Sequence, residues 1–151
     1  MKKNIAANSL KVIFPAKSVN EALARMIIAA FVSRLDPTID ELADIKTAVS
    51  EAVTNSVIHG YGGGGNGGEI IMQAFCYDDN MVKVVIKDKG MGIENIKRAM
   101  EPFYTSDPTG ERGGMGFSIM QNFTDKLKIR SSPGKGTVVT LEKMIGKIHK
   151  N

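Results

Sequence analysis

The chain has 151 residues, 42% apolar and 24% charged, with a formal net charge of +4; these are globular values, enough chain for one core, and they exclude a disordered polymer. No apolar run approaches the ~20 residues that span a bilayer, and the opening "MKKNIAANSLKVIF" has too short an apolar stretch for a secretory signal, so no membrane association is expected. Lys and Arg are scattered apart from small clusters at the two ends, Trp is absent, and no basic stripe is interleaved with aromatics, so no direct DNA binding is expected.

"LKVIFPA" (10–16) reads as a first strand stopped by Pro15. Ser18 with Glu21 three positions later is a candidate capping box for the apolar helix "EALARMIIAAFVSRL". "DPT" breaks that helix. Thr38 with Glu41 is a second candidate box, opening a helix expected from Ile39 to His59. Its apolar face is Leu42, Ile45, Val49, Ala52, Val53 and Ser56, and Gly60 is a natural stop.

"GYGGGGNGG" is a flexible connector. "EIIMQAFCYDD" and "MVKVVIKD" are two β-rich runs, joined as a hairpin at Asp79-Asn80. Cys76, the single cysteine, has no internal partner and reads as a reduced core thiol, which favours the cytoplasm. Residues 89–116 hold at most one short helix near 94–100, and a loop this long in a compact domain is usually functional. A helix returns at "MGFSIMQNFTDKL". "LKIRSS" and "GTVVTLE" make a last strand pair around "PGKG", and the tail 143–151 is expected to be polar and frayed. The whole is expected to be one domain, 1–151, with its core over about 9–142. Its order β-α-α-β-β-α-α-β-β gives an α+β class, a two-layer sandwich of helices on a mostly antiparallel sheet.

Three groups carry chemistry. Glu51, Asn55 and His59 recur every four residues, a column that drifts toward the edge of the core face and is placed to line a pocket. "DKGMGI" puts Asp88 at a strand end, with Gly90 and Gly92 allowing close backbone approach to a flat ligand. In "GERGGMGFSIM", Gly113, Gly114 and Gly116 precede a helix whose free N–H groups suit phosphate, and Arg112 offers two donors to it. "GGGGNGG" lacks a following Gly-Lys-Ser/Thr and is no P-loop, and "GKGT" joins two β-rich runs as a hairpin turn.

In that order, "E-x-x-x-N", "D-x-G-x-G", "G-x-G" (Gly114 to Gly116) and the late "G-T" (Gly136-Thr137) resemble the four ATP-binding boxes of the GHKL superfamily of gyrase, the mismatch-repair ATPase and histidine kinases. "DELADIKTAVSEAVTNSVIHGY" and "ERGGMGFSIMQNF" resemble, more narrowly, the serine kinases that double as anti-sigma factors, in particular the sporulation anti-sigma-F family of Firmicutes. The likeness runs over roughly residues 9–142; the glycine-rich 62–68 connector is its one departure.

The resemblance implies a GHKL-type fold binding ATP or ADP with Mg²⁺. It implies Asn55 as a Mg²⁺ ligand, Asp88 and Thr137 on the adenine, and Gly90 and Gly92 lining the base pocket. Arg112, Gly114 and Gly116 would meet the phosphates under a 102–116 lid. Glu51 would be the general base toward a serine of an anti-anti-sigma factor, and His59 structural or near the site. A sigma-F-type sigma factor is the implied binding partner, with Arg25 in its contact surface. A homodimer is implied, and the apolar first helix with the first strand would supply its interface. A non-catalytic, nucleotide-dependent sigma-binding module and a stress-response sigma kinase stay open as alternatives; a free-standing gyrase-type ATPase is a weaker one.

Overall fold

In the computed structural model the described residues are 5–62, 67–101 and 116–146. In chain order they form β1 (Asn8–Pro15), α1 (Asn20–Ser33), α2 (Ile39–Asn55), a π-helical turn (Ser56–Gly60), β2 (Glu69–Cys76) and β3 (Met81–Asp88). Then come α3 (Ile96–Ala99), α4 (Gly116–Phe123), β4 (Lys126–Ser132) and β5 (Gly136–Met144). The five strands make one sheet in the order β1-β2-β3-β5-β4, antiparallel throughout. The α+β sandwich expected from the pattern is the observed class.

Alternation builds the sheet's inner face. Ile70, Met72, Ala74 and Cys76 of β2 and Val82, Val84 and Ile86 of β3 are all buried, while the residues between them are more open. Against this face packs α2, flanked by α1 and α4, through Ile45, Val49, Ala52 and Val53. Cys76 is buried there, and burial pushes its thiol pKa up, as suits a reduced core thiol. The β2–β3 hairpin turns at Asp79-Asn80, with Asn80 at φ 66° and the Met81 N–H donating to Asp79 Oδ1 at 3.0 Å.

The second capping box is present in both halves. Glu41 N–H donates to Thr38 Oγ1 at 3.0 Å, and Thr38 N–H donates to Glu41 Oε1 at 2.9 Å. The first is not. The N-cap of α1 is Val19, without a side-chain bond, because a turn from Lys17 to Asn20 carries the chain into the helix. Glu21 is engaged elsewhere: its Oε1 accepts a bond from the Ser50 hydroxyl of α2 and lies 3.7 Å from Arg25 Nε.

Two boundaries also differ from expectation. The helix expected to reach His59 stops as an α-helix at Asn55, and its last turn is wider, with Tyr61 N–H donating to Ser56 O at 3.0 Å. At the other end, Lys143 and Met144 belong to β5, and Ile145 is buried. Gly146 N–H donates to Glu41 Oε2 at 2.7 Å, so the start of the supposed tail is anchored. Residues 147–151 lie outside the described set.

Glu41 thus accepts from both ends of the fold. Burial raises its pKa, but the bonds from Thr38 and Gly146 and the charge of Lys143 outweigh burial and leave it below the ordinary 4.5. A depressed carboxylate stabilises fully above the unfolded value of 4.5 and loses that contribution as pH falls through its lower folded value. Urea titrations across that window are expected to show a flatter acid decline for Glu41→Gln than for the wild type; equal slopes would refute the role. Thr38→Ala is expected to cost about 1 kcal/mol at neutral pH.

Candidate functional site

A cavity of about 230 Å³ opens where the π turn after α2, the loop after β3 and the start of α4 meet. Asn55, Asp88, Gly92, Gly116 and Thr137 line it, and so do Ser56 and His59. Two of the three chemistry-bearing groups, some thirty residues apart in the chain, therefore converge, and the first residue of α4 joins them.

Sheet register makes the floor. Asp88 and Thr137 are direct partners across β3 and β5, and both are buried. Asp88 Oδ2 accepts from Ser56 Oγ at 2.8 Å, and Oδ1 accepts from Gly90 N–H at 3.0 Å. Ser131 gives its proton to Gly136 O at 2.9 Å and accepts from Ile93 N–H at 2.8 Å. Thr137 Oγ1 lies 2.8 Å from Ser131 Oγ, and since the Ser131 proton is already placed, Thr137 is the donor of that pair. The floor thus presents a carboxylate and hydroxyl oxygens whose protons point elsewhere. Such a surface suits a ligand edge that donates, such as an exocyclic amino group.

Glycines let the backbones close around Asp88. A Cβ on Gly90 would sit 2.1 Å from Gly60 O, and one on Gly136 would sit 2.1 Å from Asp88 O. Met91 N–H donates to Gly60 O at 2.9 Å across the same junction. Gly92 takes φ 76°, a region open to glycine, and abuts Ser132 O. Gly90 thus acts in the wall behind the cavity rather than in its lining.

Asn55 is the last residue of α2, and its amide rests against Gly116, where a Cβ would lie 2.9 Å from Nδ2. Among the described residues no three His, Cys, Asp or Glu gather as a metal-binding group. A metal at the Asn55 amide oxygen would take its other ligands from phosphate oxygens and water, the set that hard Mg²⁺ prefers. The donor set fits that ion.

Other expected residues lie apart. Glu51, one turn before Asn55, lines a separate depression with Ser18, Glu21, Ser50, Thr54 and Val57. Arg25 is exposed on α1. Arg112, Gly114 and most of the 102–116 lid lie outside the described residues. The sequence reading missed Ser56, counted there on the apolar face, and Ser131. It also missed Tyr61, whose hydroxyl donates to Glu69 O at 2.8 Å and accepts from Lys89 N–H at 2.6 Å, bridging the glycine-rich connector. A lone serine among buried helix positions was the available signal for Ser56.

The histidine kinase-like ATPase domain family matches residues 14–143. An anti-sigma F factor of Clostridium beijerinckii is 52% identical over 136 residues, covering 90% of this chain and 94% of that protein. One from Geobacillus thermodenitrificans is 49% identical over 140 residues, covering 93% and 94%. The chain belongs to the anti-sigma F factor family of histidine kinase-like ATPase domains. Solved structures share the fold of this anti-sigma F family member at low identity. The RsbU and RsbW domains of a Mycobacterium tuberculosis protein align with a TM-score of 0.65 at 19% identity, over 92% of this chain and 33% of theirs. The histidine kinase domain of an Erythrobacter litoralis blue-light-activated kinase aligns at 0.57 and 17%, over 89% and 63%. An ATPase domain of this family implies nucleotide binding. No helix among the described residues is long and apolar enough to cross a membrane.

Gly90→Ala is expected to push Gly60 away and to destabilise the fold by about 1–3 kcal/mol, the usual cost of overpacking. Urea unfolding checks this; an unchanged midpoint would show that the two backbones are not held in contact.

Proposed function

We propose that the chain is an ATP-dependent protein-serine kinase that phosphorylates an anti-anti-sigma factor and, in the same fold, binds and inhibits a sigma-F-type sigma factor. The observation that carries it is one cavity lined by a buried carboxylate and hydroxyl, Asp88 and Thr137, and by the Asn55 amide against the first residue of α4. The carboxylate and hydroxyl suit an adenine amino group, and the amide with the start of α4 suits magnesium and phosphate.

Asp88 and Thr137 would hold the base, and Asn55 would hold Mg²⁺. The ion, when bound, neutralises phosphate charge as it shifts during transfer. The N–H groups that open α4, together with Gly114 and Arg112, would cradle the phosphates. Glu51 would take the proton of the incoming serine hydroxyl. Its carboxylate lines the depression on the α1 side of α2, so it would meet an acceptor that arrives from outside rather than one sharing the nucleotide cavity.

The family name borne by the relatives supports sigma binding. Val19 at the N-cap of α1, with Leu23 and Met26 on it, stand exposed at helical spacing, and Ile13 stands exposed on β1. That apolar surface supports a homodimer through α1 and β1, with Arg25 beside it for the sigma partner. A cytoplasmic location goes with such partners.

With labelled ATP and the anti-anti-sigma partner in single turnover, Glu51→Ala is expected to transfer at least roughly 100-fold more slowly while ATP affinity stays near the wild-type value. Wild-type transfer by that variant would remove Glu51 from the role, and no transfer by the wild type would leave a sigma-binding module without catalysis. Asp88→Asn is expected to weaken ATP binding itself; unchanged calorimetric affinity would refute its contact with the base.

A further inference from the structure

We infer that Ser56 is a positioning residue for base recognition: its hydroxyl fixes the Asp88 carboxylate so that the cavity takes a 6-aminopurine in preference to a 6-oxopurine. This rests on the nucleotide reading proposed above and adds a residue to it.

A serine or threonine inside a helix usually returns its proton to the carbonyl four residues back. Thr54 does so, donating to Ser50 O at 2.8 Å. Ser56 does not. It donates at 2.8 Å to Asp88 Oδ2, 32 residues away in the chain. The wide turn that begins at Ser56 packs against strand β3.

The carboxylate is boxed on three sides. Ser56 Oγ holds Oδ2, the Gly90 N–H holds Oδ1 at 3.0 Å, and a Cβ at Gly60 would lie 3.1 Å from Asp88 Cγ. Asp88 is 7% exposed and Ser56 is 4% exposed, so water does not compete strongly for these bonds. Both residues line the cavity. A carboxylate held in this way can accept from an amino group and repels a carbonyl oxygen. Ser56 itself, with its proton spent on Asp88, offers only an acceptor to the cavity. Without the hydroxyl, Oδ2 loses its donor, the carboxylate is free to rotate, and the two purine edges become less distinct.

Calorimetry with ATP and ITP on the full chain reads this directly, because ITP carries an oxo group where ATP carries an amino group. Ser56→Ala is expected to bind ATP about tenfold more weakly, the loss of one charge-assisted bond, and to lose a similar factor in its preference for ATP over ITP. Ser56→Thr keeps the hydroxyl and is expected to restore most of both. Should the alanine variant not fold, Ser56→Cys, a weaker donor of similar size, is expected to fall between wild type and that loss. Ser56→Ala with unchanged ATP affinity and preference would overturn the inference alone. So would equal weakening toward both nucleotides, which marks a structural role. A wild-type chain that binds neither nucleotide would overturn the nucleotide reading and this inference with it.

Discussion

Two stretches of backbone cross behind the cavity with no side chain between them. Gly60, closing the π turn, receives the Met91 N–H on its carbonyl, and Gly90 lies so close that any β-carbon would strike that oxygen. Gly136 makes a similar approach to the carbonyl of Asp88 from the other side. These contacts set the distance between the end of α2 and the end of β3. Asn55, Ser56 and Asp88 then fall around one space, because each is within a few residues of a crossing point.

The sheet supplies the remaining constraint. Asp88 faces the helices only because β3 keeps its register with β5, placing it beside Thr137. A slip of one residue would turn Asp88 toward solvent and bring Lys87 inward. Val82, Val84 and Ile86 oppose that slip, since all three would leave the core together. Core packing and site geometry are in this sense one requirement: the apolar residues that stabilise the sheet also aim its one buried carboxylate.

Much of this could be read from residues alone. The alternation of β2 and β3, the 3–4 spacing of α2, the Thr38–Glu41 cap and the two hairpins are local patterns, and local patterns survive into the structure. Of the residues that line the cavity, Asp88 and Gly92 stood out as a strand-end carboxylate followed by glycine, Asn55 by its column on α2, and Thr137 only through the family resemblance. Other features were less accessible. The π turn leaves no mark in composition, so Ser56 looked like a minor member of an apolar stripe. Ser18 and Glu21 have the spacing of a cap, but Ser50 of α2 competes for Glu21, and that contact joins residues 29 apart. The tail looked polar because Lys143, Lys147, His149, Lys150 and Asn151 dominate it, and nothing nearby announced that Glu41 would bind the backbone beside Ile145.

That last tie also bears on how the chain assembles during synthesis. Glu41 and Gly146 are 105 residues apart, so this tie to the cap residue cannot form until the chain has been made as far as Gly146. Until then α2 has its local Thr38 partner but no anchor to the final strand, and the sheet lacks its fourth-position strand, β5, between β3 and β4. Completion of the cavity must therefore follow, since Thr137 and Gly136 arrive with β5. A nascent chain would hold the helices and the strands β1, β2 and β3 before β5 is made, and the cavity would gain Thr137 only with that strand.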